Sequence, residues 1–491
     1  MIRQKLQKLE PIWQKSVWFL WLCLVAALPI TSFPVFAKLL HTSSVAPASG
    51  IFVLILAVLW LPVYLVKNGR FPFQLKPALI FFLFALFTIA MGFLRYIPDY
   101  KNASMLKAAL EGVATLGLGA LFYIVTTAIP NSSEKIKQTL RIVNWGGLVI
   151  IIWSLTQIAV SFFYHDYTDG MRAFQHLFST TVLFDGRATG FASEPSWLAH
   201  QLNLVYLMYW MAAAKNKFSA HSFRIWKFTL ENLLLAAGFA VLFVTLSRGG
   251  LVAFMLVLAF LFVLANIRFA KWLINKWNAR NTVLVGIFTG LAMFLLYLGV
   301  IVGGLFVLSK LDPRMEKVFQ FSSTAENPLL KYADDLQFGE RVIYWQTGWN
   351  IFNDYPIAGV GVGFSGYYFP QYMPDYAWQL PEVNKLTGWS SGLLNIKNLW
   401  TRLMAETGII GFSLFVVFLV VIAFTAKDLS NRKDQLSKTI GWMGIFMLIT
   451  FILEEFSVDS FALPYYWFTL GLVAAASRWL KTTDMDVHGQ I

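Results

Sequence analysis

The chain has 491 residues, of which 57% are hydrophobic and only 13% are charged, and its mean hydropathy is +0.61. Soluble domains carry about 25% charged residues, so this composition excludes an ordinary soluble protein. The net charge of +13 does not indicate a nucleic-acid partner, because most basic residues fall in short segments between apolar runs, as in membrane proteins.

Apolar runs long enough to cross about 30 Å of hydrocarbon as helices recur along the chain. Only helices and closed barrels satisfy their backbone hydrogen bonds in lipid. We therefore predict an all-α polytopic membrane protein with about twelve transmembrane helices. The predicted spans are 16–37, 50–66, 77–95, 106–128, 141–163, 196–214, 228–246, 250–266, 282–308, 405–425, 441–457 and 463–480.

The distribution of basic residues predicts the orientation of these spans. Most of the 39 Lys and Arg residues lie in segments that share one side if the N-terminus is cytoplasmic, and short loops rich in Lys and Arg stay inside. We expect both termini in the cytoplasm. The first apolar run is too long for a cleavable signal peptide and lacks a small-residue cleavage site. A single cysteine, Cys23, allows no intrachain disulfide and no Cys-based metal site.

The predicted spans divide the chain into three parts. Residues 1–308 hold the first nine spans, 309–404 form a large outer loop with amphipathic helices, and 405–491 hold the last three spans and a cytoplasmic tail. Inside the long loop, 341–354 is predicted to be a helix with Trp345 and Trp349 on a face suited to the membrane interface. The Gly-rich run 359–363 follows no strand and is not a nucleotide fingerprint.

A first polar cluster, 187–196, precedes the sixth span and contains Arg187 and Glu194. Ser193 is a good N-cap, and Glu194 and Pro195 suit the first helical turn. One interpretation is a capped helix start with a carboxylate at the positive end of the dipole. The other gives Arg187 and Glu194 a functional role.

A second polar cluster, 245–250, places Arg248 between two long apolar runs. Arg so placed usually faces a water-filled cavity or an anionic partner. Ser247 is predicted to cap the eighth span, so Arg248 and the free N–H groups of that helix would face one outer cavity suited to a phosphate or diphosphate. The alternative is that Arg248 snorkels to a lipid headgroup.

A third cluster combines Gly339-Glu340-Arg341 with Lys397, Asn398 and Glu406. Arg402 and Glu406 are four residues apart on one helix face, and an exposed pair of this kind contributes only a few tenths of a kcal/mol. Weaker candidates are single groups that also suit a structural role: Glu111, His200, Glu454 and Glu455. No metal-ligand motif or Walker loop appears, so we expect neither a metal nor a cofactor.

These motifs resemble those of the bacterial O-antigen ligase and polymerase superfamily. The resemblance rests on the order and spacing of four elements, which are Arg187 to Pro195, the Thr-Leu-Ser-Arg-Gly-Gly stretch 245–250, Gly339-Glu340-Arg341 with the Gly run to 363, and the segment 398–411 entering the tenth span. They cover 185–415. The resemblance implies a metal-independent, GT-C-like membrane glycosyltransferase whose active face is periplasmic and whose substrate is an undecaprenyl-diphosphate-linked glycan.

The resemblance implies two roles for the polar residues of the three clusters. Arg248 and Arg341, with Arg187, would bind the diphosphate, and Ser247, Asn398 and Glu406 would support the site. Ligases of the family carry a His directly before the Asn at the tenth span, where this chain has Lys397. A Lys accepts a proton only if burial strongly depresses its pKa. This departure favours a polymerase, with Glu194 activating the acceptor.

Two alternatives stay open besides polymerisation of O-antigen or exopolysaccharide repeats. One is an O-antigen ligase that transfers glycan to lipid A-core. The other is a twelve-span transporter of an anion or lipid-linked sugar, which would place charged residues near the bilayer midplane rather than at outer helix ends. Membrane lipids and a chain-length regulator are the further partners that we consider.

Overall fold

The computed structural model describes residues 2–40, 45–277, 281–311, 328, 331–332, 338–388 and 392–488. These residues are predominantly helical, with a short antiparallel hairpin of β1 (Arg224–Ile225) and β2 (Phe228–Thr229). The predicted fold class, an all-α polytopic membrane protein, is confirmed.

The helices follow one another closely along the chain. The first half forms α1 (Ile2–Ala26), α2 (Pro34–Leu40), α3 (Ala48–Leu59), α4 (Leu61–Val66), α5 (Leu75–Gly92), α6 (Met105–Ala128), α7 (Ser133–Tyr164), α8 (Asp169–Phe178), α9 (Pro195–Gln201) and α10 (Leu207–Asn216), with a π-helical turn at Leu202–Tyr206 between the last two. The second half forms α11 (Leu230–Val244), α12 (Arg248–Trp277), α13 (Thr282–Leu311), α14 (Gly339–Asp354), α15 (Phe369–Tyr372), α16 (Pro381–Gly388), α17 (Leu399–Ser430), α18 (Gln435–Glu454) and α19 (Pro464–His488). Two 3₁₀ turns lie at Ser365–Tyr368 and Asp375–Gln379.

Within the described residues, eight helical segments are long and apolar enough to cross a membrane. They coincide with the predicted second to fifth and eighth to eleventh spans. The other four predicted spans fall on α1, on α9 with α10, on α11 and on α19. The first span was placed too far along the chain, since α1 ends at Ala26 just before Pro29, which cannot continue a helix.

The helix α17 begins six residues before the predicted tenth span because Asn398 caps it. Its side-chain oxygen accepts hydrogen bonds from the N–H groups of Trp400 at 2.9 Å and Thr401 at 3.2 Å. The predicted long-loop helix is also present, as α14, and ends before Pro356 as expected. The division of the chain into three parts stays a prediction.

Aromatic side chains fix the segment 455–463, here called the connector, on the end of the bundle. The connector joins α18 to α19. Trp467 of α19 donates its Nε1–H to the carbonyl of Phe461 at 2.8 Å, and its ring centroid lies 5.2 Å from that of Phe82. The Phe461 ring lies 6.0 Å from Phe81 on α5. The connector is therefore held by buried rings rather than lying loose in solvent.

The helix α17 is broken inside the bundle, at Gly408. Its φ of 62° and ψ of −169° leave the helical region, so carbonyls before the break and N–H groups after it lose their helical partners. The segment 356–361 supplies replacements: Val360 N donates to Ala405 O at 2.9 Å, Gly361 N to Glu406 O at 2.9 Å, Ile409 N to Pro356 O at 2.7 Å and Ile410 N to Ile357 O at 3.3 Å. Irregular backbone at membrane depth is tolerated where protein covers it in this way.

Gly359 permits the close approach of this inserted segment to α17. Its φ is 63°, and a Cβ there would collide with the backbone of 405–407. We expect Gly359→Ala to destabilise the protein, because the left-handed conformation alone costs about 1–2 kcal/mol for an L-residue and the overlap adds to it. Unfolding of detergent-purified protein by sodium dodecyl sulfate measures the effect.

Gly304→Ala in α13 is the matched control, since no heavy atom lies within 4 Å of its added Cβ. That variant should unfold at or above the wild-type midpoint, because Ala favours a helix over Gly. Equal midpoints for the two variants would contradict the close packing at Gly359.

Candidate active site

The connector is the point at which the predicted clusters meet. Arg341 of α14 donates from Nη1 to the carbonyl of Ser457 at 3.5 Å. A Cβ added to Gly249, at the start of α12, would lie 3.4 Å from Ser457 Oγ. The structure therefore brings the Arg248 and Arg341 segments, far apart in sequence, to the same residue.

The start of α12 has the geometry that the sequence predicted. Ser247 precedes the helix, and its Oγ accepts a hydrogen bond from Gly250 N at 3.4 Å, which confirms the capping role. Leu246 before it has a positive φ of 50°, which turns the chain sharply from α11 into α12. The first N–H groups of a helix lack intrahelical partners and form its positive end. Arg248, half-buried, stands at that end.

Arg187 lies beside the same turn. Its Nε donates to the carbonyl of Thr245 at 3.0 Å, and Ala188 N donates to Val244 O at 3.0 Å. These two bonds tie the loop before α9 to the end of α11. The first and second clusters of the sequence are thus one structural unit.

Glu194, rather than the predicted Ser193, is the N-cap of α9. The helix begins at Pro195, whose fixed φ and missing N–H suit the first helical position, so the cap is the residue before it. Ser193 is buried instead and donates its N–H to Thr31 Oγ1 at 2.9 Å. The Glu194 carboxylate is exposed and accepts a hydrogen bond from Ser196 Oγ at 3.1 Å.

The starts of α9 and α12 lie side by side. A Cβ added to Gly250 would approach the Cβ of Ala199 to 2.6 Å, so the two helices pack closely within about a turn of their first residues. Glu194 and Arg248 therefore belong to neighbouring helix ends at the same end of the bundle, here called the site end.

Lys397 and Asn398 join the site through α14 and the connector. The Lys397 ammonium lies 5.0 Å from the ring centroid of Tyr344, one helical turn beyond Arg341. Leu399 N, next to the cap Asn398, donates to the connector carbonyl of Glu455 at 2.8 Å. Trp345 packs on the connector ring of Phe456 at a centroid distance of 5.4 Å, and its place at the membrane interface stays a prediction.

The Arg402–Glu406 pair is buried, and the expectation of an exposed pair was wrong. Glu406 is 2% exposed, because the inserted segment covers it. Its carboxylate accepts hydrogen bonds from Arg402 Nε at 2.9 Å and Ser365 Oγ at 2.8 Å. Arg402 also donates from Nη1 to the connector carbonyl of Asp459 at 2.8 Å. Glu406 thus joins α17 to the 3₁₀ turn at Ser365–Tyr368, and its partner Arg402 joins α17 to the connector.

A buried polar group lies behind the site, formed around residues that the sequence marks only as weak candidates. His200 of α9 is fully buried, with Nδ1 at 3.4 Å from Glu454 Oε2 and Nε2 at 3.8 Å from Glu455 Oε1. Asn203 Nδ2 donates to Glu454 Oε1 at 2.5 Å and to Gly250 O at 2.8 Å. This group links α9, α12 and α18 directly beneath the Arg248 turn.

The one sequence signal for this group is the pair of adjacent carboxylates at the end of an apolar span. Buried polar groups need partners, and His200, on the neighbouring helix α9, lies within 4 Å of both carboxylates. The prediction that Glu454 is a satisfied buried group agrees with its bond to Asn203. Within the described ranges, no group of three or more His, Cys, Asp or Glu residues could hold a metal ion.

The fold and the site together define a multi-pass α-helical membrane protein with guanidinium groups gathered at the site end. Residues 233–416 match the family model described as O-antigen ligase. The match spans rather more than a third of the chain and confirms the resemblance to the O-antigen ligase and polymerase superfamily. It indicates a bacterial membrane enzyme of glycan assembly.

The matched segment contains Arg248, Arg341, Lys397 and Glu406, and it ends before the connector. Arg187, Glu194 and the His200 group lie outside it. A search of the curated proteins found no match.

Proposed function

We propose that the chain polymerises undecaprenyl-diphosphate-linked oligosaccharide repeats, of O-antigen or exopolysaccharide, at the periplasmic face of the bacterial inner membrane. The observation that carries this proposal is the approach of Arg341 and the Arg248 helix start to the same connector residue, Ser457. Two guanidinium groups beside a helix N-terminus suit a diphosphate, because Arg pairs with phosphate oxygens through two N–H groups and the helix end adds positive charge.

The reaction that this arrangement suits is glycosyl transfer from a lipid diphosphate. An acceptor hydroxyl oxygen bonds to the anomeric carbon, the bond from that carbon to the diphosphate oxygen breaks, and the lipid diphosphate departs with the electron pair. Negative charge grows on the departing oxygen, and Arg248 and Arg341 would stabilise it most at that moment. These two charges serve in place of a metal in this scheme.

Glu194 is the proposed acceptor for the hydroxyl proton. Its carboxylate is exposed at the start of α9, beside the start of α12, and its hydrogen bond from Ser196 leaves a second oxygen for a substrate. Lys397 lies over the Tyr344 ring, and such a cation–π contact uses the charged ammonium. We therefore assign Lys397 to holding the anionic substrate near Arg341.

Ligation of finished glycan to lipid A-core is the second candidate, since the matched family is described as O-antigen ligase. Lys397 in place of the ligase His favours the polymerase. Partners of a polymerase would be the lipid-linked glycan, membrane lipids and a chain-length regulator, with both termini of the chain in the cytoplasm.

Deletion of the gene separates the two candidates. A strain without a polymerase should keep surface lipid A-core that bears a single repeat unit, because one unit can still be ligated. A strain without a ligase should accumulate polymer on the carrier lipid and show unsubstituted core. Electrophoresis of surface glycolipid and mass spectrometry of the carrier-linked fraction measure both.

Purified full-length protein provides the direct test. In detergent, with lipid-linked repeats as the only substrate, it should produce a ladder of longer lipid-linked glycans. Transfer only to added lipid A-core would favour the ligase, and the absence of any glycosyl transfer together with vectorial movement of substrate in vesicles would overturn the enzyme proposal.

A further inference from the structure

A basic cavity opens at the end of the bundle opposite the site end. Its volume is about 530 Å³, and it lies between the start of α7, the segment 217–224 after α10, and the start of α18. Nothing in the proposed reaction uses it. The orientation predicted from the basic loops places it on the cytoplasmic side.

Four cationic side chains line this cavity. Lys137 and Arg141 stand with Ser133 on one face of α7, at four-residue spacing, and Lys217 and Arg224 come from the facing segment. The carboxylate in the lining, Asp434, is engaged as the N-cap of α18, where it accepts from Ser437 N at 2.8 Å. The lining thus holds four cations against one carboxylate, and Arg141 also pairs with Glu134 Oε1 at 3.4 Å. Its net charge is positive and suits an anion.

The cavity wall is preformed by buried hydrogen bonds. Arg141 Nε donates to the carbonyl of Ala220 at 2.7 Å, and Ala220 N donates to Glu231 Oε1 at 2.9 Å. Glu231 is fully buried and also accepts from Asn144 Nδ2 at 2.9 Å. A site held in place before its ligand arrives loses less entropy on binding.

His221 supplies a polar atom that suits an oxygen of an anionic ligand. It lines the cavity, and its Nε2 is buried with no hydrogen-bond partner among the described residues. Burial lowers the pKa of His221, against the opposing influence of Glu231, so the ring is neutral at pH 7. A neutral imidazole can present an N–H to a phosphate oxygen.

An aromatic hairpin borders the cavity and indicates a lipid rather than a soluble anion. Arg224 lines the cavity and pairs with Thr229 across the β1–β2 hairpin. The hairpin and the residue before it expose four large apolar side chains: Phe223 (54%), Ile225 (53%), Trp226 (81%) and Phe228 (51%). Exposed Trp and Phe flanked by Lys and Arg are typical of a segment that lies in the headgroup region of a bilayer.

We propose that the basic cavity binds the phosphodiester headgroup of an anionic phospholipid, while the exposed hairpin side chains contact its acyl chains. Basic pockets between transmembrane helices are suited to such headgroups. A headgroup bound in the basic cavity would connect α7, the segment between α10 and α11, and the start of α18. This site is independent of the glycosyl-transfer proposal.

Native mass spectrometry of the full-length protein in detergent tests the proposal, with phosphatidylglycerol and phosphatidylcholine of identical acyl chains as probes. Wild-type protein should retain phosphatidylglycerol preferentially. The double variant Lys137→Gln/Lys217→Gln should bind it roughly 25-fold more weakly, since each basic residue near an anionic lipid contributes about fivefold. Trp226→Ser should weaken retention of phosphatidylglycerol while leaving the charge of the cavity unchanged.

The control is Lys271→Gln/Lys427→Gln, which removes two exposed charges outside the lining at the same end of the bundle. It should bind phosphatidylglycerol as the wild type does. Equal losses in both double variants, or equal retention of the two lipids, would overturn the site. Displacement of phosphatidylglycerol by millimolar inorganic phosphate, with no effect of Trp226→Ser, would overturn the assignment to a lipid.

Discussion

Replacing Arg341 or Arg248 with alanine is expected to remove most glycosyl transfer. Loss of one donor that stabilises developing charge costs roughly 10²–10³-fold in rate. Arg341 loses only a 3.5 Å bond to the Ser457 carbonyl within the fold, so the stability of the variant should change little. Elongation of lipid-linked repeats by purified protein gives the rate, and thermal unfolding in the same detergent gives the stability.

The conservative variants make this test specific. Arg341→Lys and Arg248→Lys keep the charge but lose the two-pronged guanidinium, so each should recover only part of the activity. Arg172→Ala is the control, because Arg172 forms an exposed ion pair with Asp166 away from the connector. If the Arg341 and Arg248 variants polymerise as fast as Arg172→Ala, the diphosphate-binding proposal fails.

The two single alanine variants should also be non-additive. If both guanidinium groups act on one diphosphate, the double variant should lose less than the product of the single losses, since neighbouring groups in one interaction are coupled. Independent effects would indicate that the two arginines bind different anions.

The local features of this chain could be predicted because they depend on nearest neighbours in sequence. The length of the apolar runs predicted the helices, and residues next to each helix set where it begins or ends. Ser247 caps the start of α12, and Pro356 follows the end of α14. The polar clusters were detectable because a charged group such as Arg248 between two apolar runs needs an explanation. Ser193 was wrongly predicted to cap α9. Proline prefers the first helical position, so α9 begins at Pro195 and Glu194 takes the cap position.

The assembly of the site could not be predicted, because it depends on contacts between distant segments. The connector has no motif of its own, yet it contacts Arg341, Gly249 and Arg402. The insertion of 356–361 into the break at Gly408 depends on backbone pairing, which residue type hardly encodes. Exposure of the Arg402–Glu406 pair was misjudged for the same reason, since the segment that covers it lies about forty residues away in sequence.

Removing the carboxylate of Glu406 is expected to have the largest effect on stability. Glu406→Ala would leave the largely buried Arg402 with only the more distant carboxylate of Asp459, at 3.7 Å, and breaking a buried pair costs up to about 3–5 kcal/mol. The hydroxyl of Ser365 would lose its acceptor as well. Unfolding by sodium dodecyl sulfate, followed by tryptophan fluorescence, measures the free energy of unfolding of the variant and the wild type.

Glu111→Ala is the matched control, because Lys107 and Glu111 have the same four-residue spacing but side chains that are 72% and 67% exposed. Such an exposed pair contributes only about 0.2–0.5 kcal/mol. Glu406→Gln should fall between the two alanine results, since the amide oxygen still accepts one hydrogen bond from Arg402 but carries no charge. A loss of stability in Glu406→Ala no larger than in Glu111→Ala would show that water reaches the pair. In that case the inserted segment would not seal the break in α17.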